Sequence, residues 1–145
     1  MPVRQTSVLP SAKELREILD AALRAIDADP DEGLRLRSCS VPLQFEFTDV
    51  KLVLNLLPAE RGGHLLRWNF QRQGARPKLR LSMDSEFANR FMQGRENPAI
   101  AIARGRLRTT IEDAGAALRF FPAVKPLFSR YRQIVAEKFP HLALD

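Results

Sequence analysis

A chain of 145 residues has the length of one domain, able to bury roughly 70% of its unfolded surface without disulfide help, and its single cysteine, Cys39, cannot pair within the chain. Its N-terminus lacks the apolar core of a secretion signal, and no apolar run approaches the roughly 20 residues that span a bilayer, so the expectation is a soluble, cytoplasmic protein with a small buried cysteine. The net charge of +6 would draw the chain toward phosphates, and it is local: from Arg61 to Arg108 eleven basic residues face three acids, leaving the remainder slightly acidic.

Residues 1 to 10 read as a loose lead-in. Ser11 with Glu14 forms a capping box, and Leu15, Ile18, Leu19, Ala22, Leu23 and Ile26 recur at helical spacing to about Ala28. Asp29-Pro30-Asp31-Glu32-Gly33 breaks that helix, and Leu34 and Leu36 then alternate with arginines over too few residues to assign. Leu43, Phe45 and Phe47 opposite Gln44, Glu46 and Thr48 read as a strand with one wet face. Val50 to Leu57 is apolar on both sides, as a central or covered strand would be. Arg61-Gly62-Gly63 signals a hairpin, after which Leu66, Trp68 and Phe70 share one face; a turn over Gln71 to Pro77 leads to Leu79, Leu81 and Met83.

The stretch from Met83 to Asp113 is heavily punctuated. Asp84 can cap a helix carrying Phe87, Ala88, Phe91 and Met92, which Gly94 ends. Asn97-Pro98 opens a second helix through Ile100 to Gly105, and Arg106 to Glu112 alternates as a fifth strand. Ala114 to Phe121 reads as helical; Pro122 and Pro126 punctuate it, and Leu127, Phe128, Tyr131, Ile134, Val135 and Phe139 form the stripe of a separate final helix. The class is α+β, with about five strands mostly in hairpin succession.

Little of this chemistry is catalytic. His64 and His141 have no ligand-like spacing and lie in no motif with Ser, Cys or a carboxylate, and no phosphate loop, Cys-x-x-Cys pair or His-Glu-x-x-His helix occurs, so no enzyme activity, metal or cofactor is expected. Trp68 and Phe70 amid arginines invite a nucleic-acid reading, but they share their face with Leu66 and point toward the core, while the arginines hold the opposite, solvated face. Nucleic acid is therefore not the expected partner.

The order Asp84…Phe87, Met92-Gln93-Gly94, Asn97-Pro98, Ala101 and Gly105-Arg106-Leu107-Arg108 resembles the sterol-carrier-protein type-two (SCP2-like) family of lipid carriers, and the upstream order of elements agrees from about residue 11 to 121. The chain departs from the family at Ile111-Glu112-Asp113, where a Gly-Asp or Gly-Asn turn is usual. It departs again in a C-terminal stretch, from Pro122, that is longer and more aromatic and has no peroxisomal Ser-Lys-Leu ending. The resemblance implies one SCP2-like domain over residues 1–145, with a core of about 11–121 and a helical extension of 122–145. It implies a five-stranded, mainly antiparallel sheet with helices on one face, enclosing an apolar tunnel for fatty acyl chains, sterol-like or isoprenoid lipids. Activity would be non-catalytic lipid binding and transfer, with Phe87, Phe91, Met92, Ile100, Phe120, Phe121, Leu127 and Phe128 lining the tunnel and the 128–139 helix acting as lid or docking face. The alternatives are an accessory or scaffold protein of the same fold, as in polyprenyl-quinone synthesis by some bacterial relatives, or a basic nucleic-acid-binding module. Transient contact with an anionic membrane surface and a homodimer through the C-terminal helix both stay open.

Overall fold

The computed structural model describes residues 9–37, 42–59, 63–71, 77, 79–111 and 114–144. Cys39, Arg61, Gly62, most of the 71–77 turn and Glu112-Asp113 lie outside them. The order is α1 (Ala12–Ala28), α2 (Pro30–Arg37), β1 (Leu43–Phe47), β2 (Leu52–Pro58), β3 (Leu66–Asn69), β4 (Leu79–Met83), α3 (Ser85–Met92), α4 (Pro98–Ala103), β5 (Arg108–Ile111), α5 (Ala114–Lys138) and a short 3₁₀ turn, Pro140–Leu142.

One five-stranded sheet runs β3-β2-β1-β4-β5. Three pairings are antiparallel, and the fourth, between the central strand β1 and β4, is parallel. The β1–β2–β3 meander therefore finishes at one edge, and the chain crosses back to lay β4 on the far side of β1. Residues 50–57 were expected to form a central or covered strand. β2 is buried on both faces but lies second from the edge, and β1 holds the centre.

The two faces of the sheet follow strand alternation. Leu43, Phe45, Phe47, Leu54, Leu56, Leu79, Leu81 and Met83 are buried on the helix side. On the other side a row of polar side chains crosses four strands in register. Arg80 Nε donates to Gln44 Oε1 at 2.7 Å, Gln44 Nε2 to Asn55 Oδ1 at 2.8 Å, and Asn55 Nδ2 to Asn69 Oδ1 at 3.0 Å. Gln44 and Asn55 are buried, so this pairing is what permits polar groups there.

Helix starts are set by side-chain caps. Ser11 and Glu14 complete their capping box, Asp84 Oδ1 accepts from Phe87 N at 2.8 Å, and Asn97 Oδ1 accepts from Ile100 N at 3.1 Å. Gly94 and Gly105 leave their helices with φ of 79° and 75°, the left-handed exit that glycine adopts without penalty. α2, where the sequence pattern was too short to assign, uses the same device as α4. Asp29 Oδ1 accepts from the amides of Asp31 and Glu32, and Pro30 takes the first helical position.

Residues 114–138 form one helix with Pro122 and Pro126 inside it, where two helices divided by the prolines were expected. Each proline removes one helical donor. The burial of Phe120, Val124, Leu127, Tyr131 and Val135 at four- and three-residue spacing holds the helix in one piece across them. α5 packs on α1, α2 and α3, so the aromatic stripe pictured as a lid or pairing face is turned largely into the core.

Candidate functional site

An aromatic seam fills the space between the sheet, α3 and α5. Phe45 and Phe47 stack with centroids 6.3 Å apart on β1, and Phe120 of α5 lies 6.3 Å from Phe45. On α3, Phe87 and Phe91 are one turn apart and their rings stack at 5.4 Å; Phe128 of α5 meets Phe91 edge-on at 5.0 Å. Such offset and edge contacts add to plain area burial. Asp49, in the β1–β2 turn, fixes the start of α3 against the sheet by accepting from Ser85 N at 2.8 Å and from Ser85 Oγ at 2.6 Å.

Of the eight residues expected to line a cavity, Phe87, Phe91, Met92, Phe120 and Leu127 are wholly buried in this seam, and Phe128 is half-buried at its rim. Phe121 lies in α5, its side chain outside those described. Ile100 stands apart: it is 52% exposed on the outer surface of α4, beside a polar pocket of about 370 Å³ that Arg90, Glu96, Arg104 and Arg106 share.

A buried polar latch closes one end of the seam. Tyr131 Oη donates to Asn89 Oδ1 at 2.9 Å, and Gln93 Nε2 donates to the same oxygen at 2.8 Å. Asn89 Nδ2 and Gln93 Nε2 both donate to the Leu142 carbonyl, at 3.0 and 2.9 Å, while Gln93 Oε1 accepts from Leu144 N. Burial, with a smaller contribution from the Glu14 charge, pushes the Tyr131 phenol well above its ordinary range, so it stays a donor at every physiological pH. The latch thus ties α3 to α5 and to the C-terminal 3₁₀ turn. Sequence reading did not single out Asn89 and quoted Gln93 only within Met92-Gln93-Gly94, without this role; their i, i+4 spacing on an otherwise apolar helix face was the available sign.

At the other edge, α1 is bound to β3. Trp68 Nε1 donates to Asp20 Oδ1 at 2.9 Å, and Asp27 Oδ1 accepts from the amides of Leu65 and Leu66 at 2.7 and 2.9 Å. His64 Nδ1 lies 2.8 Å from Asp27 Oδ2. Asp20, Asp27, His64, Leu66 and Trp68 rim an open groove of about 870 Å³ with Arg24 and Arg67, and none of the eight expected lining residues borders it. Among the described residues no group of His, Cys, Asp or Glu is placed to hold a metal ion, and no helix is long and apolar enough to cross a membrane.

A sheet of order β3-β2-β1-β4-β5 with its helices on one face superposes on solved structures that bear the name of sterol carrier protein. One is the solution structure of a conserved protein from Thermus thermophilus whose name links it to sterol carrier protein: TM-score 0.57, 15% identity, 90% of this chain and 92% of that one. Another is the crystal structure of sterol carrier protein 2: TM-score 0.55, 15% identity, 81% and 95% of the two chains. The chain has the SCP2-like fold. A third SCP2-like structure is the UbiJ-SCP2 ubiquinone synthesis protein, at TM-score 0.50 and 12% identity over 83% and 91% of the two chains. No family model and no curated protein matches the sequence. At these identities the SCP2-like likeness carries the fold alone.

Proposed function

We propose that this protein is a non-catalytic lipid-binding protein that takes an acyl, sterol-like or isoprenoid chain into the seam between the sheet, α3 and α5. The observation that supports it most is the composition of the seam. Phe87, Phe91 and Phe128 are joined by ring contacts, Phe120 meets Phe45 on the sheet, and Met92 is buried in the same core with its flexible thioether, within the SCP2-like fold. Side chains of this kind can re-pack around an apolar guest when α5 shifts along the sheet.

The energetics favour loose selectivity. At ~0.8 kcal/mol per buried CH₂, a sixteen-carbon chain gains on the order of 13 kcal/mol over water but about zero over a bilayer that buries it equally well. A carrier in exchange with membranes therefore needs only to match the bilayer. Native mass spectrometry of freshly purified protein is expected to show a co-purified lipid, and Phe91→Trp is expected to weaken displacement of a fluorescent fatty acid. If Phe91→Trp leaves displacement unchanged, Phe91 does not line the site.

A second reading has its own observation. The complete burial of five of the expected lining residues also fits a filled core, in an accessory or scaffold protein that uses the fold without a guest. An absence of bound lipid, together with no displacement at any fatty-acid concentration, would favour this second reading.

A further inference from the structure

We propose that α4 is a membrane-docking knuckle that seats on bilayers carrying anionic lipids. The helix has no polar side chain: it reads Pro98-Ala99-Ile100-Ala101-Ile102-Ala103. An all-apolar helix normally belongs inside a protein or in lipid. Here only Ala101 is buried, and Ala99, Ile100, Ile102 and Ala103 are all exposed, Ile100 at 52% and Ile102 at 44%. After the Gly105 turn the next buried side chain is Leu107.

The flanking charge selects the occupant. Exposed Arg90, Arg104 and Arg106 line a pocket with Ile100, and exposed Arg95 precedes the helix. Nearby acids are partly engaged: Glu96 Oε2 accepts from Arg90 Nε at 2.6 Å, and Asp84 lies 4.0 Å from Arg106, whose guanidinium also sits over the Phe87 ring. Glu86 shares the pocket with Arg104 and Arg106, but among the described residues no acidic side chain forms a salt bridge with Arg95 or Arg104. A bilayer with anionic headgroups satisfies both halves of this surface, since the isoleucines and alanines enter the acyl boundary while the arginines reach lipid phosphates. A second copy fits poorly, because a two-fold pairing would bring arginines against arginines. Nucleic acid fits poorly too, because aliphatic side chains offer bases neither a stacking ring nor a hydrogen bond.

This surface is separate from the aromatic seam, and docking does not require the seam to open, so the test reads binding to the vesicle and not uptake of a lipid. The full-length protein is expected to co-sediment with vesicles of phosphatidylglycerol and phosphatidylcholine in equal parts, and far less with phosphatidylcholine alone. Ile100→Ser with Ile102→Ser should weaken that binding on the order of tenfold or more. Arg95→Glu with Arg104→Glu should weaken it at least as much and make what remains less sensitive to salt. Both pairs lie on the surface, so circular dichroism and thermal melting should be unchanged; Ile100→Ala with Ile102→Ala, which keeps helix propensity, serves if the serine pair unfolds. The proposal is overturned if the wild-type protein ignores the anionic vesicles or if the isoleucine variants bind them as well as wild type does. It is equally overturned if those variants instead change the sedimentation mass, which would assign α4 to a second copy, or lose oligonucleotide binding.

Discussion

Asp27 shows how one side chain can hold two elements together and leave a signature in pH. It sits in the last turn of α1, where the helix dipole disfavours a negative charge, and its side chain is only 9% exposed. Burial opposes its ionisation, but the His64 ring and the amides of Leu66 and Leu65 outweigh that and hold its carboxyl below the ordinary range. A carboxyl whose folded value lies below its unfolded value of about 4 stabilises the protein fully above that pH and loses the contribution as pH falls through the folded value. Asp27→Ala is therefore expected to cost about 2 kcal/mol at neutral pH, with the gap to wild type narrowing below about pH 4. Urea denaturation across that range would show it, and a gap that stayed constant into acid would mean the carboxylate charge is not what binds α1 to β3. Asn89 and Gln93 make a different point at this scale. Their partners, Tyr131, Leu142 and Leu144, lie 42 to 53 residues along the chain, so local pattern alone gave no account of why two amides sit on the buried face of α3.

At the scale of elements, what was legible depended on how local the cause was. α1, α3 and α4 begin at caps whose donors and acceptors lie within three residues, and those starts could be read from Ser11, Asp84 and Asn97. α2 was hidden because Asp29-Pro30 served equally well as a stop for α1 and as a start for the next helix. The continuity of α5 had no local cause at all, since it depends on Phe120, Val124, Leu127, Tyr131 and Val135 being buried against other elements. That tertiary hold makes the prolines a test of the helix. Pro122 is exposed, so replacing it restores a backbone donor and removes a ring without opening a void in the core. Pro122→Ala is expected to stabilise the protein by about 1 to 2 kcal/mol, read as a higher Tm. A lower Tm would mean that the proline sets a bend on which the packing of α5 depends.

For the molecule as a whole, the SCP2-like fold could be read from the Met92 to Arg108 order of residues, while the state of its interior could not. A cavity and a packed core draw on the same side chains, and the difference between them lies in distances that periodicity does not encode. Here Phe91 is buried beneath Phe87 and Phe128, and α5 is pinned at one end by the Asn89–Tyr131 latch. Phe91→Ala separates the carrier from the scaffold. Removing a buried ring with two aromatic neighbours should cost about 3 to 4 kcal/mol in either case, because lost contacts and a residual cavity add. The two readings part when a long-chain fatty acid is added. A ligand that binds the folded state adds about 2.7 kcal/mol at a hundred times its Kd. In a carrier, an acyl chain able to enter the enlarged seam should therefore raise the Tm of Phe91→Ala by more than it raises that of wild type. In a scaffold with a filled core the space left by one ring stays closed to an acyl chain, because the latch and the buried stripe of α5 still hold the helix on the sheet. The variant would then melt low at every fatty-acid concentration, and the lipid-carrier proposal would fall.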